Sequence, residues 1–167
     1  MIGGNLKMKP VNLEDIIDEL DVQMDDYYSY LNTETGEIVN FSTEELGIAE
    51  ESAEGDDFSN YPDWQREIIK EALDVINNLN KNKYIKLPDR WDINEYRIME
   101  DFCSLVEDEM MSNVLFSAIR GSGAFRRFKD IINIYNLKDS WYQFRYEALK
   151  KIAIQWCEEN GISYIET

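Results

Sequence analysis

Two glycines, Gly121 and Gly123, stand among Arg120, Arg126 and Lys129 in the stretch RGSGAFRRFKD, residues 120–130. Glycines permit close backbone approach, and the first free amides of a following helix attract anions. With three cations nearby, the stretch is a candidate contact for a phosphate ligand or nucleic acid. It is not a P-loop, because the glycines are too close and no Lys-Ser/Thr pair follows. A packed corner between two helices explains the same residues. A helix from about Ala124 places Phe125, Phe128, Ile131, Ile132, Ile134 and Tyr135 on one half-turn arc, with Arg126, Lys129, Asp130 and Asn133 opposite. Both phenylalanines are then expected in the core. Arg127 falls on the border of that arc, where its stem packs and its head seeks a carboxylate.

Arg145 is the other unusual cation. It projects into the apolar arc of DSWYQFRYEALKKIAIQWCEENG, among Trp141, Ala148, Leu149, Ile152, Ala153 and Trp156. Burying it unpaired would cost several kcal/mol, so a carboxylate partner from the acidic N-terminal two-thirds is expected, the alternative being a pocket contact. Other chemistry is limited by residue type. The chain has no histidine, which removes imidazole acid/base catalysis and imidazole metal sites. Cys103 and Cys157 lie far apart in apolar helical patterns and read as buried thiols. The acid clusters Glu100/Asp101 and Glu107/Asp108/Glu109 raise a carboxylate hydrolase as a third reading, but their position on helix faces that read as solvated counts against it. No catalytic residue, cofactor or metal site is expected.

The elements that position these residues are legible in the hydrophobic pattern. VNLEDIIDELD predicts a short helix capped by Asn12. YYSYLNTETGEIVNF predicts a hairpin, which KYIKLP can join as a third strand. PDWQREIIKEALDVINNLN predicts a helix burying Trp64, Ile68, Ile69, Ala72, Leu73, Val75, Ile76 and Leu79. In the next helix, Asp92 and Glu95 have cap spacing, and Tyr96, Ile98, Met99, Phe102, Cys103, Leu105 and Val106 form the buried face. A further helix through NVLFSAI stops at Gly121. Asp139 or Ser140 is expected to cap the last helix, Gly161 to end it, and ISYIE to form a final strand. STEELGIAEESAEGDD, with seven acids between Glu44 and Asp57, reads as a mobile loop around 44–58 or a poorly ordered helix, without the ligand series of a calcium loop. The expected fold is one α+β domain over residues 1–167, a small antiparallel sheet packed by about five helices.

Charge is the strongest compositional signal: 34 acids against 17 bases, a net −17 over 167 residues. Residues 1–110 carry 28 acids and 9 bases, whereas 111–167 carry 6 acids and 8 bases. Such a chain repels nucleic acid and anionic membranes at long range. No apolar run approaches the roughly 20 residues of a membrane span, and the N-terminus lacks the apolar stretch of a secretory signal. A cytoplasmic protein with no membrane partner is expected.

Taken together, YLNTETGEIV, KLPD with EYRIMEDFC, AIRGSGAFRRFKD, WYQFRYEALKKIAIQWCEENGI and SYIE resemble the bacterial uncharacterised protein family 0158. The resemblance covers the hairpin and nearly all of residues 84–165. Family members often carry a second basic residue between the two glycines. Ser122 stands there in this chain, which weakens a phosphate-holding role. The resemblance implies a small, soluble bacterial protein and brings no established activity, cofactor or catalytic residue. The expected function is therefore non-enzymatic: an interaction module whose acidic surface meets a basic protein surface, in one form by mimicking nucleic acid. The alternative is nucleic-acid or phosphate binding at the glycine corner.

Overall fold

The computed structural model describes residues 9–23 and 25–167, so the first eight residues of the N-terminal stretch lie outside it. The chain forms two compact units: the residues up to Asp89 together with Ala153–Thr167, and Arg90–Ile152.

The first unit opens with β1 (Val11–Asn12) and α1 (Leu13–Asp21). Asn12 caps α1 by accepting the Glu14 amide at 3.0 Å, and Leu13, Ile16, Ile17 and Leu20 give the helix its buried face. The hairpin is β2 (Tyr27–Asn32) and β3 (Ile38–Ser42), antiparallel, with Tyr28 opposite Phe41 and Tyr30 opposite Val39. Its turn is organised by Asn32, whose side-chain oxygen accepts the Glu34 and Thr35 amides, while Gly36 supplies a φ of 78°. Next come α2 (Thr43–Glu51), α3 (Asp63–Asn78) and β4 (Tyr84–Lys86). β4 joins β2 on its other side, so the sheet order is β3-β2-β4. β5 (Tyr164–Ile165) runs parallel to β1. The expected α+β class, with a small sheet packed by helices, is the class found.

α2 occupies the first half of the acidic stretch read as a loop or poorly ordered helix. Ser42 and Glu45 form a complete capping box there, satisfying two amides that otherwise face water. Ala49 then buries itself with Phe58, Phe41, Ile69, Ala72 and Val75, so a few apolar side chains suffice to dock a mostly charged helix. α3 sends Ile69, Ala72 and Val75 fully inside, whereas Trp64 is 67% exposed and Leu79 44%. Those two sit at the helix ends, beyond the stretch that the sheet and α2 cover.

The second unit holds α4 (Arg90–Ile93), α5 (Glu95–Leu105), α6 (Glu109–Ala118), α7 (Ala124–Ile134) and α8 (Lys138–Glu159) up to Ile152. Its core contains an aromatic group in which Phe102 lies 6.1 Å from Phe128, 5.4 Å from Trp141 and 5.5 Å from Phe144. Three expectations change here. The cap of α5 is Asn94, left-handed at φ 53° and accepting the Arg97 amide; Asp92 belongs to the preceding helical turn. Asp139 and Ser140 lie inside α8, because Asn136 (φ 55°) and a Leu137 amide bond to the Ile132 carbonyl close α7 so tightly that α8 starts at Lys138. Leu105 and Tyr96 are exposed at the ends of α5 rather than buried. Gly161, at φ 65°, follows α8 as expected, with the Ile162 amide donating back to the Cys157 carbonyl at 2.8 Å. No helix among the described residues is long and apolar enough to cross a membrane.

In the first unit, Asp74 ties α3 to β4. Its carboxylate accepts from Lys83 Nζ at 2.8 Å, the Tyr84 hydroxyl at 2.7 Å and Asn78 Nδ2 at 2.9 Å. The Lys83 bond, aided by the one from Tyr84, holds its pKa below the usual aspartate value despite some burial. The same bond raises the Lys83 pKa, and burial raises that of Tyr84. A depressed carboxylate pKa stabilises the fold above the unfolded value and loses that effect as pH falls through the folded one. Asp74→Asn should therefore lower the melting temperature at neutral pH. Its deficit relative to wild type should close as pH drops below about 4, the ordinary aspartate range. A deficit independent of pH would refute the assignment.

Candidate functional site

The glycine corner is built from the end of α6 and the start of α7. Gly121 and Gly123 adopt φ values of 73° and 77°, which side chains with a Cβ rarely tolerate. Arg127, one turn into α7, folds its guanidinium back into the link. Nε donates to the Ala118 carbonyl at 2.8 Å, Nη1 to Ser122 at 2.6 Å and Nη2 to Arg120. Tyr96 adds its hydroxyl to the Ile119 carbonyl at 3.0 Å. A Cβ on Gly123 would sit 3.0 Å from Arg127 Nη1, so the glycine also leaves room for the guanidinium.

This arrangement decides the local polarity of the loop. A phosphate loop gathers amides; this one gathers carbonyls, and a cation fills it. Arg127 meets three backbone carbonyls rather than a carboxylate: that of Ala118, the last residue of α6, and those of Arg120 and Ser122 in the link all lie within its reach. Arg120, Arg126 and Lys129 are exposed, and among the described residues none of their side chains has a hydrogen-bond or ion-pair partner. Phe128 enters the core, but Phe125 is 48% exposed and Ile134 72%, so the apolar arc of α7 is narrower than its pattern.

Arg145 has a direct partner. Its Nε donates to Glu95 Oε1 at 2.6 Å, with the side chains 18% and 29% exposed. The pair joins the start of α5 to the middle of α8. No spacing rule connects residues 50 apart, though a cation in an apolar arc signalled that an acid had to come to it.

Sequence reading did not reveal the groove beside that pair. Between α5 and α8 the second unit leaves an open hollow of about 1170 Å³. Ile98, Phe102, Leu105, Val106, Met111 and Phe144 supply apolar lining. Asp92, Asp101, Glu107, Asp108 and Glu147 bring five carboxylates, against the cations of Arg97 and Lys151. Arg97 lies 3.5 Å from Asp101, and Asp108 also caps α6 through the Met111 amide.

The thiols are placed for packing. Cys103 and Cys157 are fully buried, one in each unit, and burial pushes each pKa up to about 11. Such thiols stay protonated and unreactive near neutral pH. Among the described residues, no group of three or more His, Cys, Asp or Glu side chains is arranged to hold a metal ion.

Charge divides with the two units. Residues 90–152 contain ten acids and ten bases, which leaves 24 acids and seven bases, the whole net −17, in the first unit.

Against known proteins, the profile of an uncharacterised protein family (UPF0158) matches residues 61–167. A UPF0158 protein of Pseudomonas aeruginosa is 32% identical over 66 residues, which are 39% of this chain and 43% of the relative. The match thus spans less than half of that relative's length. No solved structure matches the chain.

Two measurements test the geometry. Arg127→Lys keeps the charge, but a single ammonium cannot serve three carbonyls in a plane. Urea unfolding should show a loss of about 1–3 kcal/mol, and Gly123→Ala should lose about 1 kcal/mol or more. Wild-type stability in Arg127→Lys would show that the corner does not depend on the guanidinium. For the ion pair, a double-mutant cycle of Arg145→Met and Glu95→Gln should give a coupling of about 1–3 kcal/mol. Additive losses would mean the two side chains act independently.

Proposed function

The chain belongs to the uncharacterised protein family UPF0158, and we propose that it is a non-enzymatic protein-interaction module of the bacterial cytoplasm, meeting a basic protein surface through its acidic unit. The observation that carries this reading is the segregation of charge. All of the net −17 resides in one compact unit, while residues 90–152 balance ten acids with ten bases. If charge served solubility alone, nothing would require one unit to hold all of it. A concentrated negative surface accelerates encounter with a basic partner and rejects acidic ones, over a range of about 8 Å at physiological salt. The balance of the chemistry supports a binding role: no histidine, two buried thiols with raised pKa values, and an arginine loop engaged in structure.

A second reading rests on Arg120, Arg126 and Lys129, three exposed cations without acid partners among the described residues. They could contact phosphate or nucleic acid through side chains alone, since the backbone of the corner offers carbonyls.

Affinity capture from a bacterial lysate, with and without nuclease, separates the two. A stoichiometric basic protein, retained after nuclease and released by salt, is the expected result. Nucleic acid recovered by the wild type, and lost in the Arg120→Ala, Arg126→Ala, Lys129→Ala triple variant, would replace the first reading with the second. Recovery of neither would reject both.

A further inference from the structure

The groove between α5 and α8 has a chemistry of its own, distinct from the acidic unit. We propose that it receives an amphipathic helix of a partner protein, with apolar residues at i, i+3 or i+4 and i+7 facing the floor and lysines or arginines along its flanks.

Shape argues for a helix. α5 contributes 11 residues, a wall about 16 Å long, which matches about three turns of a docked helix. The hollow is open, and its 1170 Å³ exceeds the roughly 300–1,000 Å³ of typical small-molecule pockets. Small-ligand sites also place a few polar groups to fix orientation. Among the described residues, the buried side-chain polar atom that lacks a partner is Gln23 Oε1, in the other unit. Within the groove, Gln143 is already bonded to Glu147 at 3.2 Å. No buried polar atom of the floor awaits a ligand.

Charge argues for a basic helix. The unit is neutral overall, yet half of its ten carboxylates line the groove and only two of its ten cations do. A docked apolar stripe would cover Leu105, which is 65% exposed at the lip, while flanking cations would meet Glu107 and Glu147. Apolar contact would supply the affinity and the rim charges the register and rate.

The test is selection of a displayed library of helical peptides, about 16 residues long, against the whole protein. The winners should carry an apolar stripe of helical period with Lys or Arg beside it. Synthesised winners should bind Leu105→Glu at least about tenfold more weakly. Leu105 is exposed, so that change spares the core; a melting curve confirms it. Glu107→Lys with Glu147→Lys should weaken the same peptides about threefold to tenfold and flatten their salt dependence. Failure to enrich any helical binder would overturn the proposal, as would acidic or uncharged flanks. Winners indifferent to Leu105→Glu but released by salt would place binding on the acidic unit, removing the groove while leaving the reading of that unit intact. Preferential protection of the groove by free fatty acid or another small apolar ligand, with no helical winner, would assign it to a different occupant.

Discussion

An ending α-helix leaves its last carbonyls without amide partners, and the short link to the next helix adds carbonyls that belong to neither helix's hydrogen-bond ladder. At the α6–α7 corner the planar donors of Arg127 take the Ala118 carbonyl at the end of α6 and those of Arg120 and Ser122 in the link, and Tyr96 takes that of Ile119. Much of the second unit follows. Gly121 and Gly123 accept positive φ so that the link can turn its oxygens inward. Tyr96 ties α5 to the same link, and the Ser112 hydroxyl ties the start of α6 to the Cys103 carbonyl at 2.7 Å. With these three helices held, Phe102 and Phe128 converge with Trp141, and the α5 and α8 walls leave the groove open.

The first unit resolves a different conflict. It carries 24 acids and seven bases, and like charge works against compaction. Three of its acids have specific structural tasks. Glu45 closes the capping box of α2, and Asp74 gathers Lys83, Tyr84 and Asn78 to join α3 to β4. Glu19 accepts from the buried Ser29 hydroxyl and from Asn40, binding α1 to the hairpin. Beneath these contacts an apolar cluster around Phe41, Phe58 and Ile69 supplies the non-directional stabilisation.

Several misread elements share one cause: an apolar pattern identifies a face but not how much of it finds a neighbour. Trp64, Phe125 and Ile134 all lie on plausible buried arcs, yet each is exposed because, among the described residues, no element covers that stretch of its helix. At α2 the composition left a loop and a weak helix both open, and the spacing of Ser42 and Glu45 as a helix start is the local signal that favours the helix.

Residue type and spacing by themselves determined the hairpin, a short strand at KYIKLP, the Asn12 cap, the glycine that closes the last helix and the need for an acid near Arg145. Each follows from interactions within a few residues or from the cost of burying a charge. Family membership was legible in the same way, as a set of motifs in order. Tertiary structure alone decided that Glu95 is the partner of Arg145, that Arg127 is held by carbonyls, that the net charge resides in one compact unit and that α5 and α8 leave an apolar groove between them. Those facts join residues far apart in the chain. They depend on which helices pack, and at what separation, which one helix's pattern does not contain.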